Sequence, residues 1–79
     1  MQQPTPLNDN VCNEKIYSKI YNEQSKHLYN FMYFKCGDAA RSSDFVQEAF
    51  VKLWKNCAKV SSDKAKSFLY TVAKNLFLN

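Results

Sequence analysis

Turn-forming residues are scarce in this chain. There is one glycine, Gly37, and two prolines, Pro4 and Pro6, among 79 residues. Strands need tight turns, and tight turns draw on Gly, Pro and Asn, so an all-β fold is excluded. Histidine occurs once, at His27. A single imidazole, without clustered thiols or carboxylates, assembles neither a zinc site nor a nucleophile–base pair. No catalytic residue, metal or cofactor is therefore expected, and enzymatic readings fail; His27 is expected to pack at the edge of a helix face. The three cysteines, Cys12, Cys36 and Cys57, form no close pair and no CxxC. An odd count at wide spacing fits reduced, half-buried thiols in a cytoplasmic protein. No stretch approaches the ~20 apolar residues of a membrane span. The Met-Gln-Gln-Pro start lacks the apolar segment of a signal peptide.

What is present is hydrophobic content at helical spacing. Hydrophobic residues make up 46% of the chain, too many for a disordered one. Phe45, Val46, Ala49, Phe50, Leu53, Trp54 and Cys57 repeat at i, i+1, i+4, i+5, the period of a helix. Asp44, Gln47, Glu48, Lys52 and Lys55 lie on its other side. Val51 breaks the pattern, because it projects among Asp44, Gln47 and Glu48. An acidic-polar face holding an apolar residue is either a docking surface or a solvated face with one stray valine. Charge is divided along the chain. Residues 1–49 hold five basic groups against six acids, whereas residues 50–79 hold six lysines against Asp63 alone. A basic end of this kind suits a polyanionic partner, although lysines also serve solubility.

The spacing predicts a compact, all-α three-helix bundle with its longest helix first. Residues 1–11 are expected to form a flexible tail and residues 12–79 the helical domain. The first helix is expected over about Cys12 to Cys36, with Ile16, Ile20, His27, Phe31 and Phe34 on one face and Tyr17 and Leu28 beside it. Gly37 stops it, and Asp38 can cap the second helix, with Ser42, Ser43 and Asp44 as further cap groups. That second helix is expected to end near Cys57 to Val60. Ser61-Ser62-Asp63 then caps a third helix from about Lys64. Phe31, Phe45, Phe50, Leu53, Phe68, Leu69 and Val72 are expected in the core. Tyr29 and Tyr33 are expected to face outward.

Three segments occur in a telling order: Leu28-Tyr29-Asn30-Phe31 ahead of Gly37-Asp38, then Asp44 through Trp54, then Phe68-Leu69-Tyr70-Thr71-Val72-Ala73-Lys74-Asn75. In this order and spacing they resemble the second conserved region of bacterial sigma factors, closest to the extracytoplasmic-function group of the sigma-70 family. That group typically shows Leu-Tyr-x-Phe, then Gly-Asp, then Asp-Leu-Val-Gln-Glu-x-Phe-x-x-x-Trp, then Trp-Leu-Tyr-x-Ile-Ala-x-Asn. The middle motif is the specific one. Phe68 departs from the family's Trp, and Ser43 stands where Glu is frequent. Family members continue into a basic helix end and a second, helix-turn-helix domain, so this chain is expected to be one domain of a longer protein.

The resemblance implies a function. Asp44, Gln47, Glu48, Val51 and Trp54 would dock on the clamp coiled coil of the largest subunit of RNA polymerase. The loop from Asn56 to Lys64 and the start of the third helix would capture an unstacked base of the promoter minus-ten element. Lys59, Ser61, Lys64, Lys66 and Lys74 would then lie along the single strand, with Tyr70 and Asn75 nearer the base. Tyr70 could equally be a half-buried core tyrosine, and Asn75 an amide bonded to the loop backbone. Tyr29 and Tyr33 would suit an anti-sigma factor, or be plain surface tyrosines. Two other readings remain: a helix-turn-helix binder of duplex DNA, or a helical protein-docking module without promoter melting. The third helix starts Lys-Ala-Lys-Ser-Phe and lacks the base-reading Arg, Asn or Gln that the former needs.

Overall fold

Gly37 and Asp38 set the architecture. In the computed structural model, which describes residues 11–79, the first helix, α1, spans Glu14–Cys36. Its first turn is closed by Asn13, whose side chain accepts from the backbone N–H of Lys15 (2.9 Å) and Ile16 (3.4 Å). At its other end Gly37 takes φ 70° and donates its N–H to the Tyr33 carbonyl. Asp38 then starts α2, Ala39–Lys55, by accepting from the Arg41 N–H at 2.9 Å. A connection this short folds α2 back along α1. The start of α1 therefore meets the end of α2: Tyr17 rests edge-on against Trp54 with ring centroids 5.1 Å apart. At the corner itself the Ser42 hydroxyl donates to the Asp38 carbonyl at 2.7 Å and lies 3.2 Å from the Cys36 sulfur.

Asn56 ends α2 earlier than the apolar pattern predicts. Its side-chain amide donates to the Lys52 carbonyl, and its backbone N–H is shared between the Lys52 and Leu53 carbonyls, so the last turn tightens toward the 3-10 turn that follows. Two single 3-10 turns come next, Cys57–Lys59 and Ser62–Lys64, with Val60 buried between them. The last helix, α3, spans Ala65–Leu78 and runs back along α2, so that Phe77 meets Phe45. The fold among the described residues is thus three helices and no strand, as the scarcity of turn residues requires. Among the described residues no helix is long and apolar enough to cross a membrane.

The core is a seam shared by all three helices. Leu28 and Met32 of α1, Ala49 and Leu53 of α2, and Ala65, Leu69 and Ala73 of α3 have no exposed surface. Alanine at three of these positions lets the helix backbones approach closely. Phe50, Leu53 and Leu69 are buried as expected. Phe31, Phe45, Phe68 and Val72 are only half-buried and pack around the seam. The expected face of α1 needs correction. Met32 is buried, Phe34 is 89% exposed and His27 is exposed rather than packed. The cause is that α1 contacts two helices: Tyr17 and Tyr21 reach the Phe50 ring on α2, while Phe31 reaches Tyr70 on α3. The buried arc lies between those flanks, and Phe34 falls outside it.

The cysteine expectation is overturned. Cys12 and Cys57 form a disulfide across a sequence separation of 45 residues, with Cα atoms 4.9 Å apart. Cys12 precedes α1 and Cys57 comes after α2, so the antiparallel pairing brings them together although no local motif does. Cys36 is the free thiol among the described residues. Of the expected N-terminal tail, residues 1–10 lie outside the described residues. Val11 is fully buried and donates its N–H to the Val60 carbonyl at 3.4 Å.

Phe50→Ala empties the centre of the α1–α2 contact, where Phe50 is 3% exposed. It should cost about 3–5 kcal/mol, read as a collapse of the thermal unfolding midpoint by circular dichroism. Gly37→Ala meets no atom within 4 Å, so its cost is confined to the left-handed backbone at φ 70°. That cost should be about 1–2 kcal/mol by denaturant titration.

Candidate functional site

Two surfaces carry the residues singled out in the sequence. The first is the outer face of α2. Asp44, Gln47 and Glu48 are exposed, and Val51 and Trp54 remain 46% and 44% exposed. Spacing of three and four residues places them in one stripe. Glu48 reaches Lys52 at 3.9 Å, an exposed pair one turn apart that holds it only weakly. Tyr17 fixes the far end of the stripe. Its ring backs Trp54, and its hydroxyl donates to the Phe50 carbonyl at 3.0 Å. Burial, and after it the neighbouring Tyr21, pushes the Tyr17 phenol above its ordinary pKa, so it stays a donor. Between the start of α1 and the end of α2 a groove of about 400 Å³ opens, lined by Glu14, Tyr17, Ser18, Val51, Trp54 and Lys55. The contribution of α1 to this groove was not visible in the sequence, because it results from the hairpin and not from any spacing within α1.

The second surface is the loop at 56–64 with α3. Lys59, Lys64, Lys66, Lys74 and Asn75 are exposed, and Ser61 and Tyr70 are half-buried. The structure does not bring all of these together. Lys66, Tyr70 and Lys74 succeed one another at four-residue spacing along one edge of α3. Tyr70 leans against Phe31, its ring centroid 5.0 Å away, and with Lys66 lines a cleft facing Asn22, Glu23, Gln24 and His27 of α1. Burial raises the Tyr70 phenol pKa, which keeps it neutral. Tyr70 is thus both a packing residue and a wall of a polar cleft. Asn75 lies on the opposite flank, in a depression shared with Lys52, Val72 and Leu76. At about 100° per residue, five positions separate the two side chains by roughly 140° around the helix.

The α1 side of this cleft was also absent from the sequence pattern. Gln24 Oε1 is buried without a hydrogen-bond partner, and His27 stands at the exposed edge. A buried orphan acceptor is uncommon and marks a place where a donor would be stabilising.

Ser61 does not cap α3 as its position predicts. It turns inward on the loop and donates to Asp63 Oδ1 at 2.5 Å. That hydrogen bond, with smaller help from the Asp63 backbone and Lys64, holds the Asp63 carboxyl below its ordinary pKa against weak desolvation. Tyr29 and Tyr33 stack with centroids 6.1 Å apart and planes 15° from parallel. Only Tyr33 is exposed; Tyr29 is half-buried against the core. Among the described residues no group of three or more His, Cys, Asp or Glu is arranged to hold a metal ion.

Comparison with known proteins agrees with the helical arrangement and the motifs it carries. The sigma-70 region 2 family matches residues 20–79, and the chain belongs to that family. It is similar to the ECF RNA polymerase sigma factor SigL of Mycobacterium tuberculosis in strains Erdman, CDC 1551 and H37Rv. The identity is 29% over 62 residues, covering 76% of this chain and 35% of each relative. The chain thus spans about a third of the length of the curated relatives it matches. No solved structure gives a significant match.

Removing the Ser61 hydroxyl isolates the loop hydrogen bond. In Ser61→Ala the Asp63 titration midpoint should move upward toward the ordinary carboxylate range, because the lost donor favoured the ionised form. Carboxyl-carbon NMR titration of Asp63 checks this.

Proposed function

We propose that the domain docks a sigma factor on core RNA polymerase through α2 and holds the single-stranded minus-ten element of the promoter on its loop and α3. The observation that carries the proposal is the outer stripe of α2. It combines two carboxylates and an amide with Val51 and Trp54, both about half exposed beside an apolar groove. Apolar and aromatic area ringed by polar groups is the composition of an interface centre. An acidic stripe suits a basic helical partner, and the clamp coiled coil implied by the family is the partner we assign. The stacked pair of Tyr29 and Tyr33 lies outside this stripe. We assign it to an inhibitory anti-sigma partner.

The opposite surface suits nucleic acid. Lysines at 59, 64, 66 and 74 can neutralise successive phosphates, and Tyr70 supplies an aromatic wall beside them. Lys66, Tyr70 and Lys74 form the track of the strand. The loop residues from Asn56 to Asp63, stiffened by the Ser61–Asp63 bond, hold the extruded base at its end. Asn75 faces away from this track and is assigned to the polymerase side of α3. The domain performs no reaction; it works in the cytoplasm by placing polymerase and melted promoter together.

Gln47→Ala should weaken capture by a purified clamp coiled-coil fragment severalfold, and Glu48→Lys more, since reversal adds repulsion to the lost contact. Both variants should keep the parent melting temperature, because neither side chain is buried. Equal capture of all three proteins would refute the docking face. On the DNA side, Lys64→Ala with Lys66→Ala should lower affinity for all single strands about equally, and reduce the salt slope by roughly 0.7 per lysine lost. Fluorescence anisotropy across a salt series reads both.

A further inference from the structure

The segment before α1 and the loop after α2 are held together at three points. Cys12 is bonded to Cys57. The Val11 N–H donates to the Val60 carbonyl. The Val11 and Val60 side chains are buried in the same core cluster. Within the loop itself the side-chain bonds are local, Ser61 to Asp63 and Asn56 to the Lys52 carbonyl. Neither 3-10 turn has a side-chain cap, and its internal backbone bonds span only three residues each: Lys59 to Asn56, Val60 to Cys57 and Lys64 to Ser61. Turns this short are not stable alone. Neither bonded cysteine is fully buried. Cys36 cannot exchange with them. It lies at the other end of a 23-residue helix, about 35 Å away at ~1.5 Å per residue.

We propose that Cys12 and Cys57 form a thiol–disulfide exchange site that sets the order of the 56–64 loop, and through it the grip on single-stranded DNA. The reagents are dithiols and disulfides, whether small molecules or the dithiol of a reducing protein. In the reducing direction a donor thiolate attacks one sulfur of the pair. The Cys12–Cys57 bond breaks, and the other cysteine leaves as a thiolate that takes a proton. The donor's second thiolate then attacks the mixed disulfide and frees the remaining cysteine. Two electrons pass from the donor, which leaves as a disulfide. In the oxidising direction a disulfide reagent accepts the two electrons and leaves as two thiols. The bonded form holds the loop against the start of α1 and binds DNA. The dithiol form releases it and binds weakly. The DNA clause rests on the reading under Proposed function; the exchange site and the loop order do not.

The 79-residue chain is equilibrated in glutathione buffers of graded reduced-to-oxidised ratio, then alkylated and analysed by mass spectrometry. Cys12 and Cys57 should change together as one two-electron couple, while Cys36 is alkylated throughout. Alkylation of Cys12 and Cys57 that stays the same whatever the ratio would overturn the proposal. Hydrogen exchange of amides 57–64 should quicken about tenfold or more on reduction, as a released segment does. In Cys57→Ser it should be fast in every buffer. Unchanged exchange in wild type would overturn the loop clause. Anisotropy with a minus-ten single strand should show a severalfold weaker Kd on reduction in wild type and no redox response in Cys57→Ser. If alkylation and exchange respond as stated but neither form binds the strand, the exchange site stands and the DNA reading falls. If both forms bind equally, the coupling is refuted.

Discussion

Everything in this domain depends on a two-residue corner. Gly37 accepts a backbone conformation that costs any other residue, and Asp38 supplies the hydrogen bond that starts the next helix. Together they commit α1 and α2 to run antiparallel with no slack in register. That one constraint produces the Tyr17–Trp54 contact, the groove beneath Val51 and the meeting of Cys12 with Cys57. The Tyr17 hydroxyl adds rotational control. By donating to the Phe50 carbonyl it fixes which side of α2 turns toward α1, and so which side is left to solvent.

The result is a small body with two unlike faces. Asp44, Gln47 and Glu48 share the outside of α2 with Lys52 and Lys55, while the loop and α3 carry four lysines against Asp63 alone. Excess positive charge on one face costs a small domain some self-repulsion, and a domain that had only to fold would gain nothing from it.

How much of this was legible depended on how many neighbours an element has. The α2 pattern was read correctly at Phe50 and Leu53, and the exposure of Val51 was anticipated from its angle alone. One face of α2 is packed and the other is free, so a single periodicity describes it. On α1 the same method chose Phe34 and His27 over Met32, because a helix wedged between two others has a wide buried arc that no single stripe defines. Helix ends shifted for local reasons: from Asn56 the backbone bonds tighten to three-residue spacing, and α2 ends before its apolar run does. Site residues from one segment were nameable from motif; their companions from α1, Gln24 beside Tyr70 and Ser18 beside Trp54, were not. Adjacency between distant segments is a property of the packed fold. The Cys12–Cys57 bond was missed on the same ground, since spacing alone argued for separate thiols.

That bond also divides the polypeptide topologically. It closes a ring that contains all of α1 and α2, while α3 hangs outside as a tail attached at Cys57. A cut within the Gly37–Asp38 corner would leave two pieces still joined through sulfur, with the outer stripe of α2 whole. A cut after Cys57 would sever from the ring the segment that carries Lys59, Lys64, Lys66 and Lys74. α3 keeps its place by packing, through Ala65, Leu69 and Ala73. It is therefore the element held by the core alone, and the loop and α3 lysines reach the ring through one covalent link and that packing.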